Sequence, residues 1–191
     1  IADLFLGVNE YVVRRKGIQG KDMVYNHEKL REPLLEFHNE FQPDVSVAPL
    51  PYPGKVMDIL GYKSYIWGGQ RLPDHLTIQA VEGEYMTGDE YKEFAADPTN
   101  FWMKKYLPRV MPTLAPLAML TEFPRVSENV DIIDLMVPFG LPPFQEMLKT
   151  LMEAGNELMK MLAVVGQTGA MIAGAGFPGM GFNIAKTPFD Y

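Results

Sequence analysis

Apolar and polar positions alternate along the chain in blocks that predict short strands and helices in turn. Ile1–Leu6 is an apolar run broken by Asp3 and closed by Gly7, the pattern of a buried strand. In Asn9–Lys16, Tyr11, Val12 and Val13 precede Arg14, Arg15 and Lys16, and Gly17 acts as a stop, so a short helix with a basic end is expected. Between Asn26 and Phe41, Leu30, Leu34, Phe37 and Phe41 fall on one helical face. Asn26 can cap that helix, and Pro33 interrupts it, at the cost of a hydrogen bond if it lies deep inside. Asp44–Pro49 alternates and is β-branched, which predicts a strand. A short helix over Lys55–Leu60, stopped by Gly61, and a second strand over Tyr62–Trp67, stopped by Gly68 and Gly69, follow. Leu76–Tyr85 is ambiguous between the two periods.

Thr87-Gly-Asp-Glu90 has the spacing of a capping box, in which hydroxyl and carboxylate satisfy backbone donors reciprocally, and predicts a helix through Ala96. Asp97-Pro98 restarts a helix, with aspartate as cap and proline at the first position. Pro108, Pro112 and Pro116 cut Phe101–Leu120 into short helical pieces. Asp131–Met136 reads as a short strand or lid segment. The clearest helix is Pro143–Val165, where Phe144, Met147, Leu148, Leu151, Leu158, Leu162 and Val165 form an apolar stripe. Strands alternating with helices predict an α/β fold with a parallel sheet. A complete eight-stranded α/β barrel needs about 250 residues, so a chain of 191 residues would supply only part of one.

Composition narrows the picture. Apolar residues at 47% and aromatics at 12% supply a core, which excludes disorder, collagen and coiled coil. Without cysteine there is no disulfide and no thiolate zinc site in this stretch. Seventeen basic against 24 acidic residues leave a charge of −7, the wrong sign for a nucleic-acid partner. Met161–Ala185 is uncharged, yet its glycines, with Gln167, Thr168, Pro178 and Asn183, interrupt the roughly 20 apolar residues that a membrane span requires, so no membrane is expected. A start at Ile1 inside a strand pattern suggests a piece of a longer protein, and the lack of a signal-peptide pattern suggests a cytoplasmic one.

Gly174-Ala-Gly176-Phe-Pro-Gly179 matches the dinucleotide fingerprint by spelling, but it follows a helix, contains Pro178 and has no acidic residue at the required distance, so it reads as a tight turn. His27, His38 and His75 lie too far apart for a metal spacing; the first two read as solvated helix positions, and His75, beside a glycine pair, could line a pocket. Ser46, Ser64 and Ser127 lack a nucleophile elbow. Glu82 and Glu84 beside Tyr85 would share a face of a strand, as an acid–base pair or as surface acids. Arg14 and Arg15 could clamp a substrate carboxylate or phosphate, or simply compensate a helix C-terminus.

Leu60-Gly61, Tyr65-Ile-Trp67-Gly-Gly, Leu72-Pro73, Gln79-Ala-Val-Glu-Gly-Glu-Tyr-Met86, Asp89-Glu-Tyr91, Asp97-Pro98 and Tyr106-Leu-Pro-Arg109 together resemble the uroporphyrinogen decarboxylase superfamily, and within it the anaerobic, methyltransferase-like branch. The resemblance spans nearly the whole chain and includes Thr187-Pro-Phe-Asp190. It implies a (β/α)8 TIM-type barrel of about twice this length, with residues 1–191 as the N-terminal part of that single domain. Decarboxylases of the superfamily resemble one another in an Arg-rich first loop and in a Phe-Ser-Asp segment whose aspartate grips pyrrole nitrogens. Here the matching stretches are Val13-Arg-Arg-Lys-Gly17 and Leu50-Pro51-Tyr52, with no aspartate.

These departures favour the relatives that move a methyl group between a small methylated or methoxylated substrate and a corrinoid carried by a partner protein. The resemblance implies a zinc ion whose ligands lie beyond Tyr191, with no metal ligand in this segment, and it allows a homodimer. No catalytic residue can be named from this half. Asn9, Arg14, Arg15, Tyr52, Trp67 and Gln79 are the candidates for pocket lining and substrate orientation, because each follows or ends an expected strand, where barrel active sites form. The alternatives are a uroporphyrinogen decarboxylase, with Arg14 or Arg15 on propionates, and a non-catalytic corrinoid- or tetrapyrrole-binding protein.

Overall fold

The structure, a computed structural model, describes residues 7–42, 46–47, 52–121, 129–175 and 179–180. The chain divides into two compact units: Ile1–Gly54 with Trp67–Ile78 and Leu158–Tyr191, and Lys55–Ile66 with Gln79–Glu157. The strand expected over residues 1–6 lies outside the described residues.

In the first unit α1 (Gly7–Lys16) ends where the sequence places its stop. Gly17 takes a positive φ of 66°, the Ile18 N–H donates to the Val13 carbonyl at 3.0 Å, and the last carbonyls of the helix are thereby satisfied. A helix absent from the sequence reading, α2 (Gly20–Tyr25), follows. The single helix expected from Asn26 to Phe41 is a 3-10 turn, His27–Leu30, running into α3 (Arg31–Phe41). Asn26 makes no side-chain cap; its backbone N–H donates to the Asp22 carbonyl and closes α2 instead. Pro33 therefore falls in the first turn of α3, where its missing N–H would have had no helical partner.

Val12, Val13, Met23, Val24, Leu34 and Ile172 are buried in this unit, each contributing roughly 1.5–3 kcal/mol if fully removed from water. Tyr11 meets Phe37 and Phe41 edge-on at 5.8 and 5.9 Å. The chain approaches itself closely at Gly20 and Gly68, where a Cβ would strike the Leu76 carbonyl.

The second unit begins along α4 (Gly54–Leu60), which Gly61 terminates with a φ of 67° and with the Tyr62 N–H donating to the Met57 carbonyl at 2.9 Å. Thr87 and Glu90 form the expected capping box, leading into α5 (Tyr91–Ala96). Asp97 accepts from the Asn100 N–H at 3.0 Å and caps α6 (Pro98–Phe101). A π turn, Trp102–Tyr106, then runs into α7 (Leu107–Val110) and a 3-10 stretch, Pro112–Met119. Leu114, Leu120, Phe144 and Met147 make the core, flanked by Met103, Leu107, Met111, Leu117 and Leu151.

Residues 131–136 are not a strand: they belong to α8 (Asn129–Gly140). A strand there would need a neighbour for its N–H and C=O groups, whereas a helix satisfies them internally. The last helix, α9 (Pro142–Gly174), runs nine residues past the expected end. Its buried positions are Phe144, Met147, Ala154, Thr168 and Ile172, whereas Leu148 and Leu162 of the expected stripe are exposed.

Of the strand expected over 44–49, Ser46–Val47 is described as β1, and it pairs in parallel with β4 (Gly179–Met180). The strand expected over 62–67 shortens to β2 (Tyr65–Trp67), because Tyr62 is spent on closing α4, and it pairs with β3 (Ile78–Ala80). Helices and short strand pairs thus combine, with helix predominating and no more than two strands joined in any sheet among the described residues. No helix among them is long and apolar enough to cross a membrane.

Candidate functional site

The residues expected to orient substrate are dispersed in role. Asn9 lies in α1. Arg14 is exposed on the same helix. Arg15 donates to Glu40 through Nη2 at 2.9 Å and to the Tyr11 hydroxyl through Nη1 at 3.0 Å, so its fork is already matched to a carboxylate. It borders a crevice of about 40 Å³, room for little more than a water molecule. Tyr52 is half-buried, and its carbonyl accepts from Nε2 of His27 at 3.1 Å. Trp67 is fully buried and donates from Nε1 to the Tyr25 hydroxyl at 2.6 Å, which makes it a core residue with a satisfied indole. Gln79 is exposed in β3.

Two histidines correct the sequence reading. His38 is wholly buried rather than solvated, and its Nδ1 lies 2.6 Å from the Leu34 carbonyl, to which it donates. The signal was present in its spacing, four residues after Leu34 and eight after Leu30 on one face. His27 is half-buried, and burial holds its imidazole below the ordinary range against the opposing pull of the Tyr52 and Met23 carbonyls. His75 is exposed in its loop.

Polar chemistry converges elsewhere, in the second unit. Arg109 donates through Nη1 to the Tyr85 carbonyl and to Glu90 Oε2, both at 2.8 Å, and through Nη2 to Glu90 Oε1 at 2.7 Å. Glu90 also accepts from the Thr87 N–H, and these donors, the guanidinium first, push its carboxyl down to about 2. Beside this clamp the rings of Tyr85 and Tyr106 meet edge-on at 6.4 Å, and Trp102 lies 5.4 Å from Tyr106 on the π turn. Tyr62 stacks on Tyr65 at 5.9 Å, and burial raises the Tyr62 phenol, with smaller raising contributions from Tyr65, Tyr106 and Tyr85.

Two cavities open on these rings. One of about 680 Å³ is bordered by Glu82, Glu84, Tyr85, Met86 and Tyr106. The other, about 720 Å³, is bordered chiefly by Met86, Phe94, Phe101, Trp102, Met103 and Tyr106. Met86 and Tyr106 belong to both. Because β3 ends at Ala80, Glu82 and Glu84 stand in irregular backbone rather than on a strand face, and both are exposed. The sequence reading singled out these acids and Tyr85 but not Trp102 and Tyr106, whose four-residue spacing on one helical face was the available signal.

Compared with known proteins, the chain matches no family model, no curated protein and no solved structure. Among the described residues no three His, Asp or Glu side chains gather as a metal site requires.

Proposed function

We propose that this chain is the N-terminal part of a uroporphyrinogen decarboxylase-like barrel whose whole protein moves a methyl group between a small methylated substrate and a corrinoid carried by a partner protein. The observation that supports a shared scaffold is the Arg109 clamp. Three of the segments that carry the resemblance, those ending at Met86, Tyr91 and Arg109, meet at one guanidinium through Tyr85, Glu90 and Arg109. Tyr85, Glu90 and Arg109, spread over 25 positions, thus share one guanidinium, the last two through a bidentate contact.

Methyl transfer is preferred over decarboxylation because Tyr52 stands where decarboxylases carry the aspartate that accepts pyrrole N–H groups. A charged acceptor makes hydrogen bonds roughly twice as strong as a neutral one. Arg15 is matched to Glu40, which leaves a propionate no vacant fork at that residue.

The test uses the full-length protein and a panel of methoxylated donors, with corrinoid methylation followed by its absorbance change and coproporphyrinogen formation followed by chromatography. Methylation with no porphyrin product is the expected result. Coproporphyrinogen made at an ordinary enzymatic rate would replace this reading with the decarboxylase, and silence in both assays would replace it with a binding protein of the same fold.

A further inference from the structure

We propose that the paired cavities around Tyr106 form a binding site for a small organic cation, with a trimethylammonium head held by the tyrosines and carboxylates and an apolar body lying against Trp102 and Phe101. The site is independent of the methyl-transfer reading, since it rests on geometry within the second unit alone.

Size is the first support. Volumes of about 680 and 720 Å³ each fall in the roughly 300–1,000 Å³ range of small-molecule sites. Shared walls are the second, because one ligand touching both cavities must pass over Met86 and Tyr106. The two ends differ in chemistry. Towards Trp102, Phe94 and Phe101 the lining is aromatic and aliphatic; towards Tyr85 it carries Glu82 and Glu84.

Charge selects the ligand. Arg109 is matched by Glu90 and Lys105 by Glu93, while Glu82 and Glu84 have no ion-pair partner among the described residues. The two exposed carboxylates share a broad, solvent-open hollow with Tyr85 and Tyr106. Aromatic faces attract cations through the ring quadrupole, and the attraction survives best for a weakly hydrated cation, whose desolvation is cheap. That favours methylated nitrogen over a primary ammonium.

The backbone adds a third observation. Trp102–Tyr106 is a π turn, a rare geometry that is frequent at functional sites. Its first and last residues, Trp102 and Tyr106, are the rings that line the apolar cavity.

The experiment titrates the full chain with benzyltrimethylammonium, benzylammonium and benzyl alcohol, read by calorimetry and by Trp102 fluorescence in parallel with a Trp102→Phe variant. Benzyltrimethylammonium should bind more tightly than about 1 mM, and benzyl alcohol about tenfold more weakly. The double variant Glu82→Gln/Glu84→Gln, at exposed positions that leave the fold alone, should lose most of that difference. Tyr106→Phe should keep binding and Tyr106→Leu should lose about tenfold. Equal affinity for the cation and the alcohol, an unaffected double carboxamide variant, or no binding of benzyltrimethylammonium would each overturn the proposal.

Discussion

Arg109 grips Glu90 with both terminal nitrogens, at 2.8 and 2.7 Å, and the same carboxylate closes the capping box on Thr87. Its carboxyl is pushed from an ordinary 4.5 down to about 2. A depressed carboxylate stabilises the fold above its unfolded pKa and loses that contribution as pH falls through the folded one. Arg109→Gln should therefore lower the thermal midpoint at pH 7, and the gap from the parent should narrow between pH 4.5 and about 2. Equal midpoints at neutral pH would show the clamp to be energetically idle.

Asp97 caps α6 through the Asn100 N–H. Asp97→Ala should cost about 1 kcal/mol in urea unfolding, and Asp97→Asn, which keeps an acceptor, a few tenths. Identical losses for both would mean that the charge, and not the hydrogen bond, is what matters there.

The glycines divide sharply. A Cβ at Gly20 would meet the Leu76 backbone, which cannot move aside like a flexible side chain, while one on Gly155 in α9 would meet nothing within 4 Å. Gly20→Ala is expected to destabilise by about 1–3 kcal/mol and Gly155→Ala to stabilise by roughly 0.5–1 kcal/mol. Chemical denaturation of the two variants side by side checks both signs.

His27 gives a pH response of its own. Burial lowers its pKa below the usual 6.5, so the unfolded chain takes up a proton first as the medium is acidified. The contribution of neutral His27 is complete above 6.5 and declines as pH falls from there to the folded value. An NMR titration should find the His27 ring titrating lower in the native protein than in the urea-unfolded chain. A His27 that titrates no lower in the native protein than in urea would contradict its burial.

Much of the local structure was legible in the residues themselves. Gly17 and Gly61 end their helices, Thr87 and Glu90 cap as a pair, and Asp97-Pro98 opens α6, because each depends on backbone groups within a few residues of the side chain that satisfies them. What tertiary structure decided is whatever depends on partners distant in sequence. Residues 131–136 have an apolar pattern compatible with strand or helix, and only the availability of a pairing neighbour chooses between them. Arg15 could be read as a substrate clamp or as a charge compensating its helix, and only the fold sets Glu40, 25 positions away, against it. His38 looked solvated until its face of α3 was buried, and Trp67 looked like a pocket wall until Tyr25 took its indole N–H. Local hydrogen bonds are written in neighbouring letters, whereas a guanidinium, an imidazole or an indole can serve a core or a ligand equally well, and the fold assigns each one by the group it brings within reach.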